Sequence, residues 1–107
     1  MRGMGNLGNM QGMMKQMQQL QKDMEKTQKE LESSDFVVED AQQLVKVVIT
    51  GKKEIKELVI KEELVDPDDI DMLQDVLLAT VNQAIQTVEE KTQSEMGRFT
   101  KGLNLPF

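Results

Sequence analysis

The chain has 107 residues, a formal net charge of −6, and no cysteine, histidine, tyrosine or tryptophan. It is long enough for one small domain with a modest core. Because the usual general bases and nucleophile–base pairs are missing, we expect no enzyme, no small-molecule substrate and no cofactor. No apolar stretch approaches the roughly 20 residues of a membrane span, and the N-terminus lacks a signal-peptide pattern. We therefore expect a cytoplasmic protein that has no membrane partner.

The charge is distributed unevenly along the chain. Residues 1–22 carry a net charge of +3 and residues 91–107 carry +2, whereas residues 23–90 hold seven lysines against eighteen acids. An acidic middle repels phosphates, so any contact with a nucleic acid must come from the two basic ends. The basic side chains at these ends are Arg2, Lys15, Lys22, Lys91, Arg98 and Lys101.

Residues 1–9 are rich in glycine and asparagine and are predicted to form a flexible arm, with residues 10–107 forming a single domain. Strong helix formers then predict a helix from about Asn9 to Glu32. Apolar side chains recur along it with heptad spacing over about three repeats, which is typical of a helix that packs along another helix. Because this seam has no evident partner in the chain, we place it in a dimer interface, with Met10, Met13, Met17, Leu20 and Met24 as its members.

Methionine-rich helices have two other interpretations. Met-x-x-Met spacing can hold Cu(I) through thioether sulfurs, and methionines also line adaptable protein-binding surfaces. Any helical seam produces the same spacing, so we predict no metal site here.

The middle of the chain changes to β-strand composition. Runs of branched residues predict three strands, over residues 36–39, 44–50 and 55–60, joined as antiparallel hairpins in which Gly51 can supply a positive φ. Apolar residues occur on both predicted faces of this sheet, and one helix would not cover both. We therefore add Val45, Val47 and Ile49 to the predicted dimer interface.

A second long helix follows the segment Asp66-Pro67-Asp68-Asp69. Asp66 is the predicted cap and Pro67 the first helical residue, and the helix runs to about Phe99 before Gly102 ends it. The acids of this segment lack the glycine and the distal glutamate of an EF-hand loop, so the helix cap accounts for them without calcium. The elements give an α+β fold with the order α-β-β-β-α.

Four segments in this order carry a resemblance to a known family. They are GNMQGMMKQMQQLQKDMEKTQKEL, LVKVVITGKKEIKELVI, DPDDIDMLQDVLLATVNQAI and the final KGLNLPF. Together they resemble the YbaB/EbfC family of nucleoid-associated proteins over essentially the whole chain. The chain departs from the family at two turns. Asp40-Ala41-Gln42-Gln43 replaces a link that is often glycine-rich, and Lys53 stands where a second turn glycine is common.

The resemblance implies a tweezer-shaped homodimer of α-β-β-β-α subunits that binds double-stranded DNA with low sequence specificity. It implies a place in the cytoplasm and nucleoid, with an influence on nucleoid organisation and gene expression as the expected consequence. Two alternatives stay open. The paired terminal helices also resemble prefoldin-like holdase chaperones, although those have longer helices and apolar tips, and the chain is also compatible with a scaffold that binds another protein.

Overall fold

The computed structural model describes the backbone of residues 2–103 and the side chains of residues 10–99. Two long helices flank a three-stranded antiparallel sheet, which confirms the predicted α+β class and the order α-β-β-β-α. A short 3-10 turn, Glu62–Leu64, precedes the second helix. The elements are α1 Arg2–Ser33, β1 Asp35–Glu39, β2 Val45–Thr50, β3 Ile55–Ile60 and α2 Ile70–Leu103.

Helix α1 begins at Arg2, several residues before the predicted start near Asn9. Glycine disfavours a helix by about 1 kcal/mol relative to alanine but does not forbid one, and no proline interrupts residues 2–9. The flexible arm over residues 1–9 and the single domain over residues 10–107 stay predictions. Residues 104–107 lie outside the described part of the chain.

The sheet has the strand order β1-β2-β3, and β2 alternates between its two faces. Val38 and Leu58 lie opposite Val47 on the neighbouring strands. Val45, Val47 and Ile49 are fully buried on one face, while the residues between them are only half-buried. Side chains along a strand point alternately to opposite faces, so this burial pattern follows directly from the sequence.

Helix α2 covers β1 and β2 and closes the core against Val45, Val47 and Ile49 through its own Ala84 and Val88, which are completely buried. This corrects the prediction that these three β2 side chains form a dimer interface. Their surface is already covered by the chain's own helix, and a second copy could reach them only by displacing α2.

The two hairpin turns use left-handed backbone at residues other than glycine. Gln43 has a φ of 59° and Lys53 a φ of 66°, which costs a non-glycine residue roughly 1–2 kcal/mol. These positions fall within the two departures from the family pattern. Gly51, which could have supplied a positive φ, does not adopt one. It is needed for space, because a Cβ at Gly51 would overlap the backbone carbonyl of Leu31 at the end of α1.

Asp40 organises the turn between β1 and β2. Its carboxylate accepts hydrogen bonds from the backbone amides of Val45 at 2.7 Å, Leu44 at 2.6 Å and Gln42 at 3.1 Å. The bond from the Val45 amide is the main cause that lowers the pKa of Asp40 below its ordinary 3.8, and the other two act in the same direction against a partial desolvation. The ionised carboxylate therefore stabilises the turn.

The cap of α2 is Asp69, whose Oδ1 accepts a hydrogen bond from the Met72 amide at 3.2 Å. The predicted cap, Asp66, instead accepts from the Asp68 amide at 2.9 Å and shapes the preceding turn. A capping carboxylate accepts from the second or third helical amide, so a helix that begins at Ile70 requires the cap at residue 69. At the other end, α2 continues through Gly102 to Leu103.

Candidate nucleic-acid interface

Helices α1 and α2 lie side by side and antiparallel beyond the sheet. At the sheet, the end of α1 at Leu31 meets Gly51, which lines a groove with Thr92 of α2. Farther out, Thr27 of α1 accepts a hydrogen bond from Arg98 of α2 at 3.4 Å. Moving away from the sheet, α1 runs toward its N-terminus and α2 runs toward its C-terminus. The two helices together form one projecting arm.

The arm makes the chain strongly elongated. Its principal dimensions are 83 × 24 × 16 Å and its radius of gyration is 21.9 Å, against about 13 Å for a compact domain of this length. Residues 10–19 of α1 are exposed throughout, so this part of the helix has little cover from the rest of the described chain.

Four lysines form one face of α1. At about 100° per residue, their positions fall within about 60° of one another, and they span about 21 Å along the helix axis. All four are exposed, and no described carboxylate lies within ion-pair distance of them. We call this set, Lys15, Lys22, Lys26 and Lys29, the lysine face.

Only two members of the lysine face, Lys15 and Lys22, belong to the predicted basic ends of the chain. Lys26 and Lys29 lie in the acidic middle of the chain, and the net negative charge of that segment conceals them. Successive lysines from Lys15 to Lys29 are seven, four and three residues apart, and such spacings place side chains on one side of a helix. This spacing is the sequence signal that predicts a single lysine face.

The predicted methionine seam lies on the side of α1 opposite the lysine face. Met10, Met13 and Met17 are 57–62% exposed, while Leu20 and Met24 are half-buried. The seam continues into Thr27 and Leu31, which are buried against the rest of the chain. One part of the seam therefore packs within the chain, and the other part presents apolar side chains to solvent.

The predicted cations of α2 lie beside α1. Lys91 and Arg98 are exposed, and both pair with Glu95 on the same helix, at 3.3 Å and 3.8 Å. Arg98 also lies over the ring of Phe99, 5.0 Å from its centroid. The side chains of Arg2 and Lys101, the remaining predicted DNA-contacting residues, lie outside the described side chains.

The exposed surface of the chain is large for its mass. It measures 8451 Å², whereas a compact monomer of 12.2 kDa exposes about 6,100 Å². The excess of about 2,300 Å² is of the size that each partner covers in an obligate dimer. Besides the methionines, exposed apolar side chains of the sheet contribute to it, namely Val37, Ile55, Leu58 and Val59.

Among the residues that the structure describes, no three acidic side chains come together in a group that could hold a metal ion. Neither helix, over its described length, is apolar enough to cross a membrane. What the arm does offer is an exposed row of cations on one side and an apolar seam on the other. This arrangement is chemically suited to phosphate contact and to helix packing.

Comparison with known proteins gives a consistent result. The sequence model of the YbaB/EbfC DNA-binding family matches residues 4–103. The chain is similar to a nucleoid-associated protein of Lysinibacillus sphaericus, with 55% identity over the full length of both chains. It is 59% identical to one of Lacticaseibacillus casei, over 91% of this chain and 98% of the relative. It is 48% identical to one of Enterococcus faecalis, over 96% of each chain.

A solved structure supports the fold alone. The crystal structure of an uncharacterized protein from Helicobacter pylori aligns with a TM-score of 0.62 at 18% identity. The alignment covers 77% of this chain and 86% of that protein.

Proposed function

The chain belongs to the YbaB/EbfC DNA-binding family, and we propose that it binds double-stranded DNA as a homodimer with low sequence specificity. We infer that it acts in the nucleoid, in the cytoplasm, where it influences nucleoid organisation and gene expression. The relatives' names point to DNA association and away from catalysis.

The observation that carries the proposal is the lysine face of α1. Four exposed cations lie in a row about 21 Å long on a helix that projects from the sheet. A row of this kind can contact several phosphates of one duplex, and neutralised phosphates release their counterions, which supplies most sequence-independent affinity. Lys91 and Arg98 on the neighbouring helix extend the same arm, and Arg2 and Lys101 stay predicted contacts.

Low specificity is expected from the type of side chain. Lysine is a point charge on a flexible stem, suited to phosphate oxygens, whereas base-edge reading relies on arginine, asparagine and glutamine at fixed positions. Arg98 is the one arginine among the described side chains, and its guanidinium is turned toward Thr27 and Glu95. Backbone contact should therefore dominate.

The homodimer is supported by the uncovered apolar surface. We propose that the second copy covers the exposed part of the methionine seam on α1, Met10, Met13 and Met17, together with its continuation at Leu20 and Met24. The surface excess of about 2,300 Å² in each chain is compatible with this, since obligate dimers bury about 1,000 Å² or more of each partner. Because the seam lies opposite the lysine face, dimerisation leaves the cations free for DNA.

The test is DNA affinity across a series of salt concentrations, measured by mobility shift and fluorescence anisotropy. Lys15→Gln with Lys22→Gln should lower affinity and reduce the slope of log K against log salt by about 0.9 for each lost phosphate contact. Lys52→Gln with Lys61→Gln is the matched control, because it removes the same charge from exposed positions on the sheet side of the molecule. Equal losses in both double variants, with the dimer intact, would reject the lysine face as the contact surface.

One observation favours a second candidate, the holdase. Helix α1 has 32 residues, more than the roughly 24 predicted, and it exposes Met10, Met13, Met14 and Met17 near its N-terminal end. Flexible methionines suit binding to varied apolar clients. Suppression of the aggregation of a heat-denatured client, measured by light scattering without DNA, would support this function. No suppression at a tenfold molar excess would reject it.

A further inference from the structure

One carboxylate pairs with two of the three predicted DNA-contacting cations of α2, Lys91 and Arg98. Glu95 lies about one turn from each of them, with Oε1 3.3 Å from Lys91 Nζ and Oε2 3.8 Å from Arg98 Nη2. We propose that Glu95 is an internal counter-ion that competes with DNA phosphates for Lys91 and Arg98 and so limits the affinity of the arm for DNA. The inference rests on the proposed DNA binding.

Further contacts turn Arg98 toward α1. Its Nη2 donates to Thr27 Oγ1, and its guanidinium lies over the ring of Phe99. Together with Asp23, Lys26 and Glu30 on α1, these groups line an open groove of about 500 Å³. Arg98 must therefore exchange its contacts with Thr27 and Glu95 for a phosphate when the arm meets a duplex.

The lysine face lacks such a competitor within ion-pair distance among the described side chains. The arm therefore carries two unequal sets of cations, one available on α1 and one held by Glu95 on α2. Because exposed ion pairs are weak and screened by salt, Lys91 and Arg98 can exchange their ion pairs with Glu95 for contacts with a phosphate. Glu95 thus adjusts affinity and does not block binding.

A purely structural role for Glu95 makes a different prediction. Charged pairs one turn apart stabilise a helix by a small amount. If that were the whole role, replacing Glu95 would lower the melting temperature slightly. It would then change DNA affinity only as much as the loss of any other nearby negative charge does.

The experiment compares Glu95→Gln with Glu90→Gln in the full chain, using the same duplex and salt series. Glu90 is a matched control because it lies on the same helix, is exposed, and accepts its hydrogen bond from Gln86, which glutamine can also do. Both changes are repeated in the Lys91→Gln, Arg98→Gln background. Thermal melts confirm that each variant is folded, and Glu95→Ala serves as a second variant.

Glu95→Gln should bind about two- to tenfold more tightly than the wild type, since each released ion pair is worth at most about a factor of five. Its slope of log K against log salt should steepen by up to about 0.9 for each cation that gains a phosphate. Glu90→Gln should change affinity less than about twofold, and in the double-glutamine background the effect of Glu95→Gln should fall to that of Glu90→Gln.

The outcomes that overturn the inference are distinct from those that overturn DNA binding. If Glu95→Gln and Glu90→Gln act equally, or if the gain persists without Lys91 and Arg98, Glu95 is not the counter-ion. If the wild-type chain fails to shift DNA even at low salt, the proposed function itself is wrong.

Discussion

Replacing Met17 by glutamine tests whether the methionine seam is the dimer interface. Met17 is 62% exposed in the chain, and burying a whole methionine side chain is worth about 1.5–3 kcal/mol. A partner that covers the remaining exposed part of Met17 therefore contributes about 1–2 kcal/mol for each copy. Two-fold symmetry doubles this to about 2–4 kcal/mol, which corresponds to a dimer dissociation constant about 30- to 700-fold higher in the variant.

Glutamine is chosen because it keeps the length and helix propensity of methionine and adds no charge. Met14→Gln is the matched control, since Met14 is 59% exposed on the same helix but lies outside the heptad seam. Sedimentation velocity over a range of concentrations gives the dissociation constant, and circular dichroism checks that the helix content is unchanged.

We expect a large effect for Met17→Gln and less than about a threefold effect for Met14→Gln. Equal effects of the two substitutions would show that exposure alone, and not the seam, governs association. A wild-type chain that sediments as a folded monomer at micromolar concentration would refute the homodimer.

Three further predictions concern the turns. Lys53→Gly should raise the free energy of unfolding by about 1 kcal/mol and the melting temperature by about 4–8 °C, because glycine adopts a left-handed backbone without strain. Gln43→Gly should act similarly for the same reason. A lower melting temperature in either variant would contradict this. Gly51→Ala should lower the free energy of unfolding by about 1–3 kcal/mol or more, since the added Cβ would displace the Leu31 carbonyl and the end of α1. An unchanged urea denaturation midpoint would show that the backbone at Leu31 can move away without cost. For Asp40 the folded-state pKa lies below the ordinary 3.8, so its stabilising effect should be complete above that pH and lost as the pH falls through the lowered pKa. The stability advantage of the wild type over Asp40→Asn, measured by urea denaturation from about pH 6 down to about pH 2.5, should therefore shrink only at the acid end.

Most of the secondary structure could be read from local sequence patterns. The strands at residues 36–39, 44–50 and 55–60 were predicted within one residue of their observed ends, because branched residues and turn residues act over a few positions. The alternation along β2 was predicted for the same reason. The predicted start of α2 lies a few residues before the observed one. Three aspartates and one proline stand next to one another there, and only the register of the helix with the core selects Asp69 as the cap.

The candidate interface was predictable only in part. The basic ends were visible in the charge distribution, and the lysine face was present in the spacing from Lys15 to Lys29. What sequence could not give was the position of Arg98 against Thr27, because those residues lie far apart in the chain and meet only when α1 and α2 pack side by side.

The sequence by itself determined the order of the elements, the alternating faces of β2 and the two stripes of α1, because these depend on the geometry of single strands and helices. Only the tertiary structure decided which apolar side chains stay uncovered. Val45, Val47 and Ile49 are as apolar as the methionine seam, yet α2 covers them and leaves Met10, Met13 and Met17 exposed. Hydrophobic burial is non-directional, so an apolar stripe in the sequence predicts only that some surface will cover it. The packing of the whole chain decides which surface that is.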